Sequence, residues 1–304
     1  MFASFGKLLI IDLSKSDIIE KELEEEIYQD YLGGKGLGSY LLMKMLPPGV
    51  DPLSPQNLLI FTTGPAVDTV LAPASRYGVF SKSPATGLYS ESYSGGHLPP
   101  LMKRIGYDAI VIVGASPQPC YISISEVGVN FYNAAEIWGQ ESYDAEEAIL
   151  KAVGVSGAQA LVIGPAGERK ISFACIKNNR WRSAGRTGLG AVMGSKNLKG
   201  IVFSGSAKAL LADEDGLKNW NRSFINRYKD SPEARTYRQK GTPALVSVTN
   251  KAGCFPSRYW SEGRLEGWEQ ISADYMQDNM EVKSRGCYRC FFACGKLTTA
   301  LQGR

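Results

Sequence analysis

Three cysteines near the end of the sequence are spaced so that their sulfur atoms could share one metal centre. Cys287, Cys290 and Cys294 stand in the run CYRCFFACGK. Two intervening residues let neighbouring thiolates point at the same ion, and three let the next turn of chain add another. We expect a tight turn leading into a helix here. Because three ligands do not close a site, a fourth ligand must come from elsewhere.

Three interpretations of this cysteine run stay open: an iron–sulfur cluster, a structural zinc ion and a role without metal. Phe291 and Phe292 lie inside the run. Aromatic cover limits solvent access and tunes the potential of a cluster, which favours iron–sulfur. A disulfide framework is disfavoured, since the other three cysteines, Cys120, Cys175 and Cys254, are scattered over a long chain.

A glycine- and arginine-rich run over residues 180–196 could bind an anion. Its sequence is RWRSAGRTGLGAVMGSK. Glycines let the backbone approach a ligand closely, main-chain amides can donate to phosphate oxygens, and the arginines add positive charge. The glycine spacing matches neither the Walker pattern nor the dinucleotide fingerprint. A glycine-rich turn that packs a helix closely is an equally good interpretation of the residues alone.

Basic and glycine residues recur between residues 73 and 97. Arg76 and Lys82 could contact an anionic cofactor, and Gly95 with Gly96 would give access to the backbone. Taken alone the signal is weak, because basic loop residues are usually solvated. His97, the one histidine of the chain, is expected to be a structural residue.

Composition excludes several classes of protein. The 304 residues carry 34 Lys and Arg against 30 Asp and Glu, a net charge of +4 that does not indicate a nucleic-acid partner. No run reaches the roughly 18 apolar residues that a membrane span needs, and the first residues do not read as a signal peptide. We therefore expect a cytoplasmic protein without a membrane partner.

Hydrophobic patterning predicts a mixed first part. We expect two hairpins, one over residues 8–19 and one over 120–132. Gly33 to Gly38 is interpreted as a turn before a helix. Further strands are predicted at 58–63, 109–113 and 160–163, and helices at 24–31, 40–45, 98–104 and 143–153.

The character of the sequence changes near residue 208. Beyond it, apolar residues recur at helical spacing, at Leu217, Trp220, Phe224, Ile225 and Tyr228. Thr242-Pro243 is typical of the start of a second helix. We predict an α+β fold in which a β-rich first domain with short helices, residues 1–208, precedes the beginning of an all-α domain, residues 209–304.

In their order along the chain, these segments resemble the tungsten-containing aldehyde ferredoxin oxidoreductase family. The resemblance is carried by YLGGKGL from Tyr31, KSPATG from Lys82, Ser94-Gly-Gly, GPAGE from Gly164, GLGAVMGSKNLK from Gly188, and the cysteine run. It implies that the first domain is the base on which two molybdopterin-type pterins chelate one tungsten, with helical domains closing over it.

The resemblance also implies the site residues. Matched by motif, the pterin contacts fall on Arg76, Tyr93, Gly95, Arg182, Ser183, Gly185 and Arg186. Tyr93 stands where relatives often have asparagine, and it and Ser183 are the positions implied for a magnesium ion that bridges the pterin phosphates. Cys287, Cys290 and Cys294 would hold a [4Fe–4S] cluster. No residue presents itself as the general base, so no catalytic residue is assigned.

The implied reaction is oxidation of an aldehyde to a carboxylate at tungsten, with electrons passed through the cluster to ferredoxin or an iron–sulfur partner subunit. A homodimer is compatible with it. The family is about twice this length, so the chain corresponds to its front part. Alternatives are the active-site subunit of a related acyl-thioester-reducing or glyceraldehyde-3-phosphate-oxidising complex, and a non-catalytic iron–sulfur subunit.

Overall fold

The computed structural model describes residues 1–299, which form two compact units. The first unit comprises Met1–Thr69 and Ala74–Glu214, and the second comprises Val70–Pro73 with the chain from Asp215 onward. No helix in the described range is both long and apolar enough to cross a membrane.

The first unit contains two six-stranded sheets. The first sheet has the order β2-β1-β6-β3-β4-β5, and only its β1–β6 pair is parallel. The predicted hairpin of β1 and β2 is confirmed, with Asp12 opposite Asp17. Its strands are β1 (Lys7–Asp12), β2 (Asp17–Glu22), β3 (Leu59–Thr63), β4 (Tyr77–Lys82), β5 (Tyr89–Ser94) and β6 (Ala109–Val113).

The second sheet has the order β11-β10-β9-β12-β7-β8, in which only the β12–β7 pair is parallel. The second predicted hairpin is also confirmed, as β7 and β8. Its strands are β7 (Cys120–Ser125), β8 (Gly128–Asn133), β9 (Gln159–Val162), β10 (Ile176–Asn178), β11 (Arg182–Ala184) and β12 (Leu198–Phe203).

Six helices cover or separate these sheets: α1 (Glu25–Tyr31), α2 (Gly34–Met45), α3 (Leu98–Arg104), α4 (Ser142–Val153), α5 (Pro165–Glu168) and α6 (Leu189–Ser195). Helices α1 and α2 share a core with the outer face of the first sheet, and α4 does so with the second. The inner faces of both sheets share one core with α3 and α6. Because side chains alternate along a strand, both sheets bury apolar residues on both faces.

The glycine run before α2 differs from its prediction as a turn. Gly34, Gly36 and Gly38 lie within the helix itself. A Cβ on Gly36 would lie 2.1 Å from the Tyr31 carbonyl oxygen, and one on Gly38 would lie 2.3 Å from the Phe80 ring. Glycine is therefore used here for close packing of α2 rather than for a turn.

The second unit is helical but not all-α in the described residues. Its helices are α7 (Glu214–Tyr228), α8 (Pro232–Gln239), α9 (Ala244–Lys251) and α10 (Ala273–Asn279), of which α7 and α9 were predicted. The antiparallel hairpin of β13 (Glu281–Arg285) and β14 (Gly295–Thr299) was not predicted. Its strands alternate weakly because most of their residues are only partly buried or exposed.

A buried lysine at the end of α6 ties two loops of the first unit together. Lys196 is 0% exposed, and its ammonium donates to the carbonyl oxygens of Pro55 (3.1 Å), Asn57 (2.6 Å) and Gly114 (3.0 Å). Burial lowers the pKa of Lys196 to about 7, although Asp12 opposes the shift. The unfolded chain therefore holds this proton more tightly than the folded one.

Lys196→Met is expected to lower the free energy of unfolding by roughly 3 kcal/mol, because the buried carbonyls of Asn57 and Gly114 lose the Lys196 donor. In the wild type, the lysine makes stability rise with pH from about 7 toward its ordinary pKa of 10.5. Urea unfolding between pH 6 and 10 should show that rise, and the variant should lose it. Exposed Lys151 provides the control substitution, and an identical pH dependence in both variants would contradict the assignment.

Candidate functional site

The loop after β11 lies along β5, so that the edges of the two sheets meet. The Arg186 amide donates to the Ser92 hydroxyl at 3.2 Å, and the Ser83 hydroxyl donates to the Thr187 carbonyl at 2.7 Å. The Thr187 and Ser90 hydroxyls also share a hydrogen bond. Hydrogen bonds with Ser90 and Ser92 of the edge strand β5, and with Ser83 just after β4, therefore hold residues 186–187 against the first sheet.

One buried asparagine joins the same two edges a few residues away. Asn178, at the end of β10, is 0% exposed. Its Oδ1 accepts hydrogen bonds from the hydroxyls of Tyr77 (3.0 Å) and Ser94 (2.8 Å). Its Nδ2 donates to the carbonyl of Gly95 at 2.9 Å and to Asn179 Oδ1 at 3.1 Å. All four hydrogen-bonding positions of the amide are used, which fixes its orientation.

The contacts of Asn178 and of residues 186–187 form a junction between the two sheets. This junction brings together predicted site residues from two distant parts of the sequence. Exposed Arg76 precedes β4 and buried Gly95 follows β5, and the pairing of Tyr77 with Ser94 places them at the same end of these strands. A Cβ on Gly96 would lie 3.2 Å from Arg182 Cγ. Arg182 and Ser183 lie in β11, and the exposed Gly185 and Arg186 follow it.

The junction carries positive charge that the rest of the described chain does not neutralise. Among residues 1–299, the guanidinium groups of Arg76, Arg182 and Arg186 make no hydrogen bond or ion pair. Arg180 differs, because it pairs with Glu147 at 2.7 Å. Lys82 is also committed, since its ammonium donates to the Val50 carbonyl at 2.8 Å. Three arginines are thus available to a ligand, whereas the Lys82 ammonium already makes one hydrogen bond within the protein.

The glycine–arginine run divides into a packing part and an open part. A Cβ would lie 1.9 Å from the Ser172 carbonyl oxygen at Gly188, 2.5 Å from that of Cys175 at Gly190, and 1.9 Å from that of Gly167 at Gly194. These three glycines serve the close packing of α6, as the structural alternative predicted. At Gly185 the nearest atom, Ser183 Cβ, would be 3.6 Å away. The anion-binding interpretation therefore rests on residues 182–187.

Tyr93 is about one third exposed and binds a carboxylate on its own strand. Its hydroxyl donates to Glu91 at 2.8 Å, which also accepts from Tyr89 (2.9 Å) and Lys35 (2.8 Å). Burial, reinforced by Glu91, raises the pKa of Tyr93 well above its ordinary value. Partial burial of Glu91 opposes its ionisation, but the three donors lower its pKa below the usual value. The phenol of Tyr93 is consequently a neutral donor already engaged with Glu91.

The three predicted cluster cysteines lie on the loop between β13 and β14. The Cys290 amide donates to the Cys287 carbonyl at 3.0 Å, and Cys294 directly precedes β14. The predicted helix after the cysteines is wrong: residues 295–299 pair with β13 instead. In the described part of the chain, no three His, Cys, Asp or Glu side chains converge as a metal-binding group.

Aromatic residues do cover the cysteine loop. The Phe291 and Phe292 rings stack with centroids 4.4 Å apart. Phe291 meets Phe224 of α7 at 6.1 Å, and Phe292 meets Tyr237 of α8 at 6.3 Å. The loop is therefore anchored to two helices of its own unit, with its cysteines partly buried.

Asn178 and Asn179 were missed in the sequence analysis. The signal that could have found them is an asparagine pair placed between a buried strand and the arginine run, since asparagine tolerates turn conformations and bonds to nearby main chain. What no pattern reveals is that their partners, Gly95 and His97, lie more than 80 residues away.

Gly194→Ala is expected to lower the free energy of unfolding by roughly 3 kcal/mol, because its methyl group would overlap the Gly167 carbonyl. Gly185→Ala has space and should unfold at the temperature of the wild type. Thermal unfolding of the two variants tests the division of the run. Equal stability of both would show that α6 does not need this close approach.

Family models and related proteins match nearly the whole chain. Residues 8–205 match the family model "Aldehyde ferredoxin oxidoreductase, N-terminal domain", and residues 219–304 match "Aldehyde ferredoxin oxidoreductase, domains 2 & 3". A tungsten-containing aldehyde ferredoxin oxidoreductase of Pyrococcus abyssi is 38% identical over 98% of this chain and 49% of its own length. The aliphatic sulfonate oxidoreductase WOR-like subunit of Pyrococcus furiosus is 34% identical over 98% of this chain and 50% of its own.

A solved structure shows the same fold. The chain matches the active site complex BamBC of benzoyl coenzyme A reductase with a TM-score of 0.85 and 29% identity, over 100% of this chain and 48% of that one. The chain thus spans about half the length of the relatives that it matches. From its sequence and fold together, this chain belongs to the aldehyde ferredoxin oxidoreductase family of tungsten-containing oxidoreductases.

Proposed function

We propose that this chain supplies the pterin-binding part of a tungsten oxidoreductase that oxidises an aldehyde to a carboxylate. The observation that carries the proposal is the set of three arginines, Arg76, Arg182 and Arg186, that have no partner in residues 1–299 and lie beside the open backbone of Gly185 at the junction of the two sheets. Arginine pairs with phosphate through parallel N–H bonds, and a pterin cofactor carries phosphate. The donor set therefore fits an anionic, planar ligand.

Each group at the junction has a role in this proposal. Arg76, Arg182 and Arg186 would bind phosphate and ring oxygens, while the main chain at Gly95 and Gly185 would lie against the pterins. Tyr93, and Ser183 through its backbone carbonyl, would hold a magnesium ion that neutralises part of the phosphate charge. When bound, tungsten would supply the two-electron redox chemistry, with water as the source of the added oxygen. The residues of this chain position the cofactor, and none is proposed as an acid or base.

The cysteine loop supports a [4Fe–4S] cluster by spacing and family only. Its thiols do not converge in the described residues, so we derive no electron-transfer step from their geometry. Cys287, Cys290 and Cys294 stay a prediction for cluster ligands, as does ferredoxin or an iron–sulfur subunit for the electron acceptor. Some related proteins are named as parts of larger assemblies, the WOR-like subunit and the BamBC complex, which supports a partner subunit.

A second candidate is the active-site subunit of an acyl-thioester-reducing complex. It is favoured by the match to the benzoyl coenzyme A reductase complex over the whole chain. The higher identity to aldehyde ferredoxin oxidoreductases, 38% against 29%, favours the aldehyde. Assays of the full-length protein with an aldehyde and a ferredoxin-type acceptor, and with an aromatic acyl thioester and a reductant, would separate the two.

The proposal is tested first by elemental analysis of anaerobically purified full-length protein. We expect tungsten together with roughly four iron atoms per assembled unit. Iron without tungsten or pterin would favour a non-catalytic iron–sulfur subunit. Zinc as the main metal would contradict the cofactor assignment altogether.

Arg76→Ala is expected to lower tungsten and pterin content, and activity, about tenfold without a change in unfolding temperature. The reason is the loss of one charge-assisted contact from a side chain outside the core. Arg169→Ala, at another exposed arginine of the first unit, is the matched control. Unchanged cofactor content in Arg76→Ala would remove this arginine from the site.

Cys290→Ser is expected to abolish the visible absorbance of an iron–sulfur cluster, because serine replaces one thiolate ligand. Cys254→Ser, at an exposed cysteine outside the run, should leave the spectrum intact. The two variants are compared by visible absorbance and iron content, measured under anaerobic conditions. A normal spectrum in Cys290→Ser would require a different set of ligands.

A further inference from the structure

A buried glutamate on α4 holds the turn between β10 and β11. Glu146 is 4% exposed, and its two carboxylate oxygens accept the amides of Asn179 (2.7 Å) and Arg180 (2.8 Å). Burial raises the pKa of Glu146, although these amides and the charges of Arg180 and Lys177 favour ionisation. An ionised carboxylate at this place therefore costs stability, which points to a use for its geometry.

The backbone of this turn has an unfavourable conformation that needs a stabilising contact. Asn179 and Arg180 both have left-handed backbone conformations, with φ values of 48° and 59°. Neither is glycine, and two consecutive residues of this kind persist only where the surroundings fix them. By accepting both amides, Glu146 selects this conformation of the turn.

The Asn179 side chain transmits the position of the turn to the other half of the site. Its Oδ1 accepts the amides of His97 (2.7 Å) and Leu98 (3.3 Å), at the start of α3. A Cβ on Gly96 would lie 2.3 Å from the same oxygen. On its other side, the turn continues through Trp181 into Arg182. One turn thus contacts the backbone beside Gly95 and leads into Arg182, the first residue of β11.

We infer that Glu146 is a positioning residue of the proposed pterin site, which holds Gly95 and Arg182 at a fixed separation through the turn of Asn179 and Arg180. The inference rests on the proposed function. None of the hydrogen bonds in residues 1–299 joins Glu146 to a predicted pterin contact, so it acts through the turn and is not a catalytic residue. Its role is to keep Gly95 and Arg182 in the relative position that allows both to contact one ligand.

The first experiment measures coupling within the chain. Glu146→Gln keeps the size of the side chain but replaces one acceptor oxygen with a donor that opposes an amide. Glu147→Gln is the matched control, because Glu147 is exposed and, within residues 1–299, binds the Arg180 guanidinium alone. By peptide-resolved hydrogen exchange, the segment that contains His97 and Leu98 should exchange about tenfold faster in Glu146→Gln only. Strands β1 and β6 should stay unchanged.

The second experiment measures cofactor binding in the full-length protein. After dialysis, Glu146→Gln should retain about tenfold less tungsten and pterin than the wild type, and Glu147→Gln should retain the wild-type amount. Glu146→Asp, which keeps both acceptor oxygens, should recover part of the cofactor content. If Glu146 only stabilised the fold, its variants would instead lose cofactor in proportion to their loss of unfolding free energy. If Glu146→Gln does not fold, Glu146→Asp is compared with the wild type in both measurements.

The outcomes separate the inference from the proposed function. Unchanged exchange at His97 and Leu98 would overturn the coupling. Faster exchange with full cofactor retention would overturn the positioning role while leaving the pterin site in place. Wild-type protein without tungsten or pterin would overturn the proposed function, and the positioning role with it, even if the exchange result held.

Discussion

The side chain of Asn178 links the edges of two separate sheets, and the arrangement of the candidate site depends on that link. Its amide is completely buried and satisfied by Tyr77, Ser94, Gly95 and Asn179. A buried amide that lost any of these partners would be left with an unsatisfied group, so the contacts around Asn178 stabilise one another. Residues that are a hundred positions apart in sequence thereby come to line one surface.

In the first unit, the residues that pack the core differ from the residues that line the candidate site. The glycines of α6 are used for close approach to neighbouring carbonyls, and the buried lysines Lys196 and Lys199 have acceptors inside the protein. Arg76, Arg182 and Arg186 have none in residues 1–299 and lie at the surface of the junction. Charge that serves the fold is buried and paired, whereas charge that could serve a ligand is left accessible.

In the second unit, the spacing of the cysteines predicted some features of their loop and not others. Cysteine spacing predicted a shared metal centre, and the aromatic residues between the cysteines do anchor the loop to α7 and α8. The helix expected after the cysteines is a strand, because residues 295–299 find a hydrogen-bonding partner in β13. Pairing of this kind is a tertiary choice that local propensity does not contain.

By itself, the sequence determined the α+β class, both hairpins, most helices of the first unit and the family, because apolar periodicity and glycine motifs act locally. It also identified Arg76, Gly95 and the arginines of residues 182–186 as site residues, a prediction that experiment has to test. Only the tertiary structure decided that Gly188, Gly190 and Gly194 are packing residues, that Lys82 is occupied, and that Glu146 and Asn178 lie behind the site. The reason is that each of these depends on a partner distant in sequence, whose position is set by how the two sheets pack and not by any local pattern.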